Sequence, residues 1–400
     1  MKLLVTTDAH LIKDTNNQYW CQTIYGYQFW TRYLNVFEDV VIAARVKQAD
    51  ITDKYRRVDG EHVTVFEIPF YQGPKELIQK YYVITKTIKN IFDGCDAVLF
   101  RMPSPTGQLV WNRRKSFDGP IGLEVVYDLS DDLKAAESTF VQKMTSRIQI
   151  HFLKRACIEA NGVSYVTEHT IQKSFPSYAS LFGESDDHFE TSYSTITMSD
   201  DAFCGSRDFT GKNSFTLIMS DVAMNTYRKG EKTFLHVIKR LRDKGYDING
   251  IIIGDGKKKY EFELLSEQLG LRNNVCFTGL LSDAEEVRAY LKKADVFVFP
   301  TSAEGLPRGI LEAMAVGLPV VSAPIGGIPE ILDMQFLYQQ NDIDGYVQCI
   351  EKLILNPLLM NEVSEKNYEV SKRFNNNILT NRRNDFYLKL RKLVKRGKEQ

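Results

Sequence analysis

The sequence predicts an α/β protein built from two Rossmann-like, doubly wound domains. Three observations carry this. Continuous apolar runs such as VVIAA (40–44), NGIIIG (249–254) and DVFVFP (295–300) suit parallel strands covered on both faces. Helix-like segments alternate with them throughout, as in βαβ units. There are also too many such runs for one ordinary sheet.

In the N-terminal half the expected strands are Lys2–Thr7, Val40–Val46, Val63–Pro69, Ala97–Met102, Ile121–Asp128 and Val163–Thr167. In the C-terminal half they are Phe215–Asp221, Asn249–Gly254, Val275–Thr278, Val296–Pro300, Pro319–Ala323 and Phe336–Tyr338. Helices are expected at Lys75–Phe92, Gly230–Lys244, Tyr260–Leu269 and Ala284–Lys293. The polar stretch Ser199–Asn213 reads as a linker, giving an N-terminal Rossmann-like domain over 1–205 and a C-terminal Rossmann-like domain over 206–375. Residues 376–400 are expected to form a helix that packs back on the N-terminal domain.

Composition narrows the function classes. Lys and Arg together number 51, as do Asp and Glu, so no bulk electrostatic pull toward nucleic acid exists. The apolar start MKLLV is too short for a signal peptide, and no apolar run is long enough for a transmembrane helix. Six scattered cysteines without a CxxC pair suggest reduced thiols rather than disulfides or zinc. The expected setting is the cytoplasm. The basic tail Leu388–Gln400 reads either as a solvated helix end or as a contact with the inner face of an anionic membrane.

The stretch Val296–Ile331 is the most informative. A strand ends at Pro300, and a loop presents Glu304 and Gly305. Pro307 fits the first position of a helix, where its missing N–H costs nothing. That helix carries Glu312 and stops at Gly317. A helix start suits phosphate, and the two carboxylates, eight residues apart, suit sugar hydroxyls.

Together with Lys229-Gly230, IIIGDG (Ile251–Gly256), Val275–Pro300 and GGIPEI (Gly326–Ile331), this stretch resembles the retaining glycosyltransferases of family 4. The likeness runs in order over the C-terminal half; the N-terminal half shares only the αβ rhythm. It implies a GT-B fold, two Rossmann-like domains facing a central cleft. It also implies a nucleotide-sugar donor (UDP or GDP), a saccharide or lipid-linked saccharide acceptor, and retention at the anomeric carbon.

Breaking the anomeric bond leaves negative charge on the departing diphosphate, which must be stabilised most in the transition state. Lys229 is the main candidate, helped by the helix start formed by Gly305, Leu306, Pro307 and Arg308. The resemblance implies that Glu312 accepts hydrogen bonds from the ribose and that Glu304 contacts the donor sugar. Gly254 and Gly256 are expected to form a tight turn lining the nucleotide site, with Phe277–Leu281 as a base-binding loop. No metal is expected, since lysine and helix amides would neutralise the diphosphate.

Two departures stand out. Ser220-Asp221 occupies the place of the family's glycine-arginine pair, so Arg228 or Arg308 would have to supply the second cation. On the N-terminal side, Tyr127-Asp128 stands where many relatives carry a histidine. Asp128 is therefore a candidate for orienting a hydroxyl, with His169 and His10 (at the end of the first strand) as rivals. Gly26 is the candidate for close approach to the diphosphate. Tyr25, Tyr27 and Trp30 around it read as core packing or as a sugar platform. A sugar-nucleotide epimerase or hydrolase, and a non-catalytic binding subunit, are the alternative readings.

Overall fold

The computed structural model describes residues 1–51, 55–130 and 140–399. The chain divides into two compact units. The first comprises Met1–Leu129, Met144–Tyr193 and the chain from Thr380 on; the second is built on Ser194–Leu379.

The first unit holds β1 (Lys2–Lys13), β2 (Tyr19–Cys21), β3 (Asp39–Gln48), β4 (Arg56–Arg57), β5 (Val63–Pro69), β6 (Ala97–Met102), β7 (Ile121–Val125), β8 (Gly162–Tyr165) and β9 (Phe189–Ser192). A parallel sheet runs β5-β3-β1-β6-β7-β8-β9. Leu3, Leu4, Val5, Val98, Leu99 and Phe100 are fully buried at its centre, as continuous apolar runs require. β2 pairs antiparallel with the far end of β1, and β4 with β2. His10 therefore does not end the first strand. β1 passes through an irregularity between Thr6 and His10 and continues to Lys13. The strand expected to reach Asp128 stops at Val125.

The helix Asn376–Glu399 docks on this unit through a buried polar hub. Tyr387 donates to Glu124 Oε1 at 2.7 Å, Tyr193 to the same oxygen at 3.0 Å, and Tyr33 to Oε2 at 3.2 Å. Arg101 forms a buried ion pair with the same carboxylate. Burial alone would raise the Glu124 carboxyl, but Arg101 and the tyrosine hydroxyls prevail and hold it below its usual range.

The second unit holds β10 (Ser214–Ala223), β11 (Asp247–Asp255), β12 (Val275–Gly279), β13 (Val296–Phe299) and β14 (Val320–Ser322), all parallel in the order β12-β11-β10-β13-β14. Phe234, Val237 and Ile238 of the Glu231–Asp243 helix, with Tyr346 and Ile350, pack over Met219, Ile252 and Val298. The helix Ala284–Lys293 falls where the sequence places it. Asp283 caps its first turn, with Glu285 and Glu286 at the start and Lys292 and Lys293 at the end. The expected strand Phe336–Tyr338 is instead a short 3-10 turn, Met334–Phe336, with one bridge from Leu337 to Ser322. The polar stretch after Ser199 is held in place: Arg207 donates to the carbonyls of Val316 at 2.9 Å and Leu291 at 3.1 Å. Among the described residues, no helix is long and apolar enough to cross a membrane.

Candidate functional site

In the second sheet β11 follows β10 on one side, while β13 lies on the other. The carboxyl ends of β10 and β13 thus form a topological switch point, where open parallel sheets bind ligands. Two loops leave the sheet there. The loop after β10 delivers Lys229, and the loop after β13 delivers Glu304. Gly230 lets them meet. It has φ of +84°, and a Cβ on it would lie 2.1 Å from the carbonyl oxygen of Pro300.

Lys229 Nζ donates to Glu304 Oε1, and the buried Thr301 hydroxyl donates to the same oxygen at 3.3 Å. Thr301 also reaches the carbonyl of Arg228 at 3.2 Å, tying both loops to one anchor. Gly305 is fixed by a hydrogen bond from the Gly327 amide to its carbonyl at 2.7 Å, so the GGIPE turn braces the Glu-Gly pair.

The helix that follows is Arg308–Ala315. Pro307 is its N-cap rather than its first residue. Pro307 has no N–H and no side chain caps this end, so the first-turn amides of Arg308, Gly309 and Ile310 carry the helix's positive pole. Arg308 is exposed beside them.

Glu312 lies on the same helix and lines a small cavity of about 30 Å³ with Arg288, Leu291 and Met198. Burial raises its carboxyl above the usual range against the opposing charges of Arg308 and Arg288. Gly254 lies inside β11 and Gly256 directly after its end, both with positive φ. A Cβ on Gly254 would sit 1.7 Å from the Asp221 carbonyl oxygen, so this segment packs directly on the 221–224 backbone.

Asp221 is buried, and its Oδ1 accepts from the Ala223 amide at 3.2 Å. Its neighbour is Glu231, which is wholly buried, with neither carboxyl oxygen meeting a donor. Burial first, and a hydrogen bond with Asp221 second, push the Glu231 carboxyl up to about 9. A protonated Glu231 donating toward Asp221 satisfies both groups. The sequence reading missed Glu231, Thr301 and Arg288. For Glu231 the signal was available: an acid directly after Lys-Gly, at the start of an otherwise apolar-faced helix.

The N-terminal candidates belong to the first unit. Asp128 is buried just past β7 and accepts from Ser174 Oγ at 3.1 Å. His169 is the N-cap of the short helix Thr170–Ser174. His10 is exposed and packs edge-on against Phe70. Gly26 is the N-cap of the helix Tyr27–Leu34 and presses on Arg56 and Arg57 of β4. Trp30 is fully buried and donates to the Tyr25 carbonyl at 2.8 Å, so it serves packing. A groove of about 700 Å³ lies in this unit between β9 and the C-terminal helix and includes none of the donor candidates.

Residues 207–370 match the model of the family Glycosyl transferases group 1. The second unit carries a group 1 glycosyltransferase domain. It is 27% identical to Protein CapJ of Staphylococcus aureus over 356 residues, covering 89% of this chain and 87% of that one. WcaL of Escherichia coli, named for colanic acid biosynthesis, is 34% identical over 136 residues, 32% of this chain and 33% of that one. Among solved structures, Anabaena HepE in complex with UDP and glucose has 16% identity and a TM-score of 0.66, covering 96% of this chain and 98% of that one. The fold is GT-B. The matched span contains Lys229, Glu304, Arg308 and Glu312; Gly26 and Asp128 lie outside it.

Proposed function

We propose that this protein moves a hexosyl group, with retention, from a nucleoside diphosphate sugar to a hydroxyl of a growing surface polysaccharide or its lipid-linked precursor. The observation that carries the donor reading is the contact of Lys229 with Glu304 at the switch point, beside an uncapped helix start. Lys229 and the amides of residues 308–310 stabilise the leaving diphosphate as its charge grows. Glu304 holds donor-sugar hydroxyls, Glu312 the ribose, and the Gly254–Gly256 turn lies under the nucleotide. Arg228 and Arg308 supply the second cation that Asp221 does not. Asp128 and the backbone at Gly26 serve the donor or acceptor from the first unit. No metal is needed for this chemistry. UDP and glucose in HepE favour a uridine donor, and the name of WcaL favours a polysaccharide acceptor.

The test is nucleotide release from UDP-glucose, UDP-galactose, UDP-N-acetylglucosamine and GDP-mannose, with and without saccharide acceptors. Lys229→Ala should lower kcat about 100- to 1,000-fold, the scale of one lost oxyanion-type donor. Glu304→Ala should also abolish most turnover. Donor binding with no turnover, unchanged by Glu304→Ala, would leave only a binding subunit. Acceptor-independent release of free sugar would make the protein a hydrolase.

A further inference from the structure

We propose that the outer face of the Gly73–Thr87 helix is a docking surface for an anionic lipid bilayer. This helix follows β5, and Ile84, with Ile88 just beyond it, faces the core of the first unit. The opposite side is unusually apolar for a surface. Ile78 and Tyr82 are each 76% exposed, Val83 53% and Tyr81 52%. A contiguous patch of this kind on a soluble protein marks an interaction site.

The charges say what covers it. Lys75, Ile78, Tyr82, Lys86 and Lys89 are spaced by three or four residues, so they form one stripe along the helix and the turn that continues it. The three lysines are exposed, and among the described residues none of them forms an ion pair. The helix's single acid, Glu76, faces Lys80 at 3.7 Å and accepts from the Gln72 amide at 3.0 Å, away from the stripe. Arg113 donates to the Thr85 carbonyl at 3.1 Å, which brings the basic run Arg113–Lys115 to the same end. Lysines interleaved with tyrosine and isoleucine are the pattern of a helix lying in a bilayer interface. Tyrosine places an apolar ring below and a hydroxyl at headgroup level. A second copy of this face would set lysine against lysine, which disfavours self-association.

The C-terminal helix, whose basic tail reads either as a solvated end or as a membrane contact, is less free to do this. Its Arg391 pairs with Glu38 at 2.7 Å, Arg396 with Asp186 at 2.7 Å, and Arg382 with Glu168 at 3.4 Å.

The experiment is co-sedimentation of the full chain with vesicles of phosphatidylcholine alone, or with one-third phosphatidylglycerol, across a salt series. Binding should require the anionic lipid and weaken with salt. Lys75→Gln, Lys86→Gln and Lys89→Gln should each lower the partition coefficient about fivefold, and the triple variant about 100-fold. Ile78→Ser with Tyr82→Ser should abolish retention at moderate salt. Lys392→Gln with Lys395→Gln on the C-terminal helix should change binding less than twofold. The proposal fails if neither vesicle binds, or if the stripe variants bind like the parent. It also fails if the C-terminal variant is the one that loses binding, or if ultracentrifugation shows a dimer that Ile78→Ser dissociates.

Discussion

Glu124 in the first unit and Glu231 in the second are both closed off from water, yet their surroundings differ in kind. Glu124 meets a guanidinium and three phenolic hydroxyls, one of them from the C-terminal helix. Glu231 meets no donor at all and has a second carboxylate for a neighbour. The first arrangement is a fully satisfied network, which rigidifies what it touches. The second balances only if Glu231 keeps its proton, and it lies two residues after Lys229, beside the donor loops. One buried acid fastens a fold; the other leaves an acid pair beside Lys229 and the proposed donor site.

The strongest way to break this comparison is Glu124→Ala. It strands Arg101 in the core, and removing one partner of a buried pair costs about 3–5 kcal/mol. All three tryptophans, Trp20, Trp30 and Trp111, lie in the first unit, so tryptophan fluorescence during denaturation reads that unit alone. The fluorescence transition should move to much lower denaturant. A loss under about 1 kcal/mol would mean that the hub is not the fastener described here.

Tyr387→Phe sharpens the same point with a smaller change. It removes one hydrogen bond to a charged group, about 1.5–3 kcal/mol, and leaves the ion pair. The fluorescence transition should shift accordingly, and protease cleavage of the 376–399 helix should accelerate. Cleavage at the parental rate would show that the helix is held by its apolar face through Phe386 and Leu390 alone.

These two carboxylates also mark where sequence reading runs out. Runs such as VVIAA and NGIIIG announce β3 and β11 because two-faced burial leaves no polar position within them. The Ala284–Lys293 helix is legible because its cap and its charges all point one way. The strand–loop–helix unit that carries Glu304, Gly305 and Glu312 was legible for a similar reason: it is local in the sequence. By contrast, β2 and β4 are too short to carry a period, and they pair only because β1 runs on past His10. Glu124 looks like any polar residue in a strand until Tyr387, 263 residues away, is brought to it. Glu231 reads as an ordinary first-turn helix acid, favourable to the dipole, until packing removes its water.

Glu231→Gln is the subtlest test, and its sign depends on pH. The folded protein holds this carboxyl at about 9, against an ordinary value of 4.5. Below pH 4.5 the group is protonated in both folded and unfolded chains, so its contribution to stability is fully present. As pH rises from 4.5 toward about 9, the unfolded chain releases the proton while the fold retains it, and stability falls. Glutamine keeps an N–H donor toward Asp221 and has no proton to lose. The variant should therefore match the parent near pH 4.5 and gain on it progressively as pH rises toward 8. Calorimetry reads this in the transition that tryptophan fluorescence does not see. If the two pH curves run parallel, Glu231 is ionised in the fold and some cation must lie near it. That would make the second unit's buried acid resemble the first's and would dissolve the distinction between them.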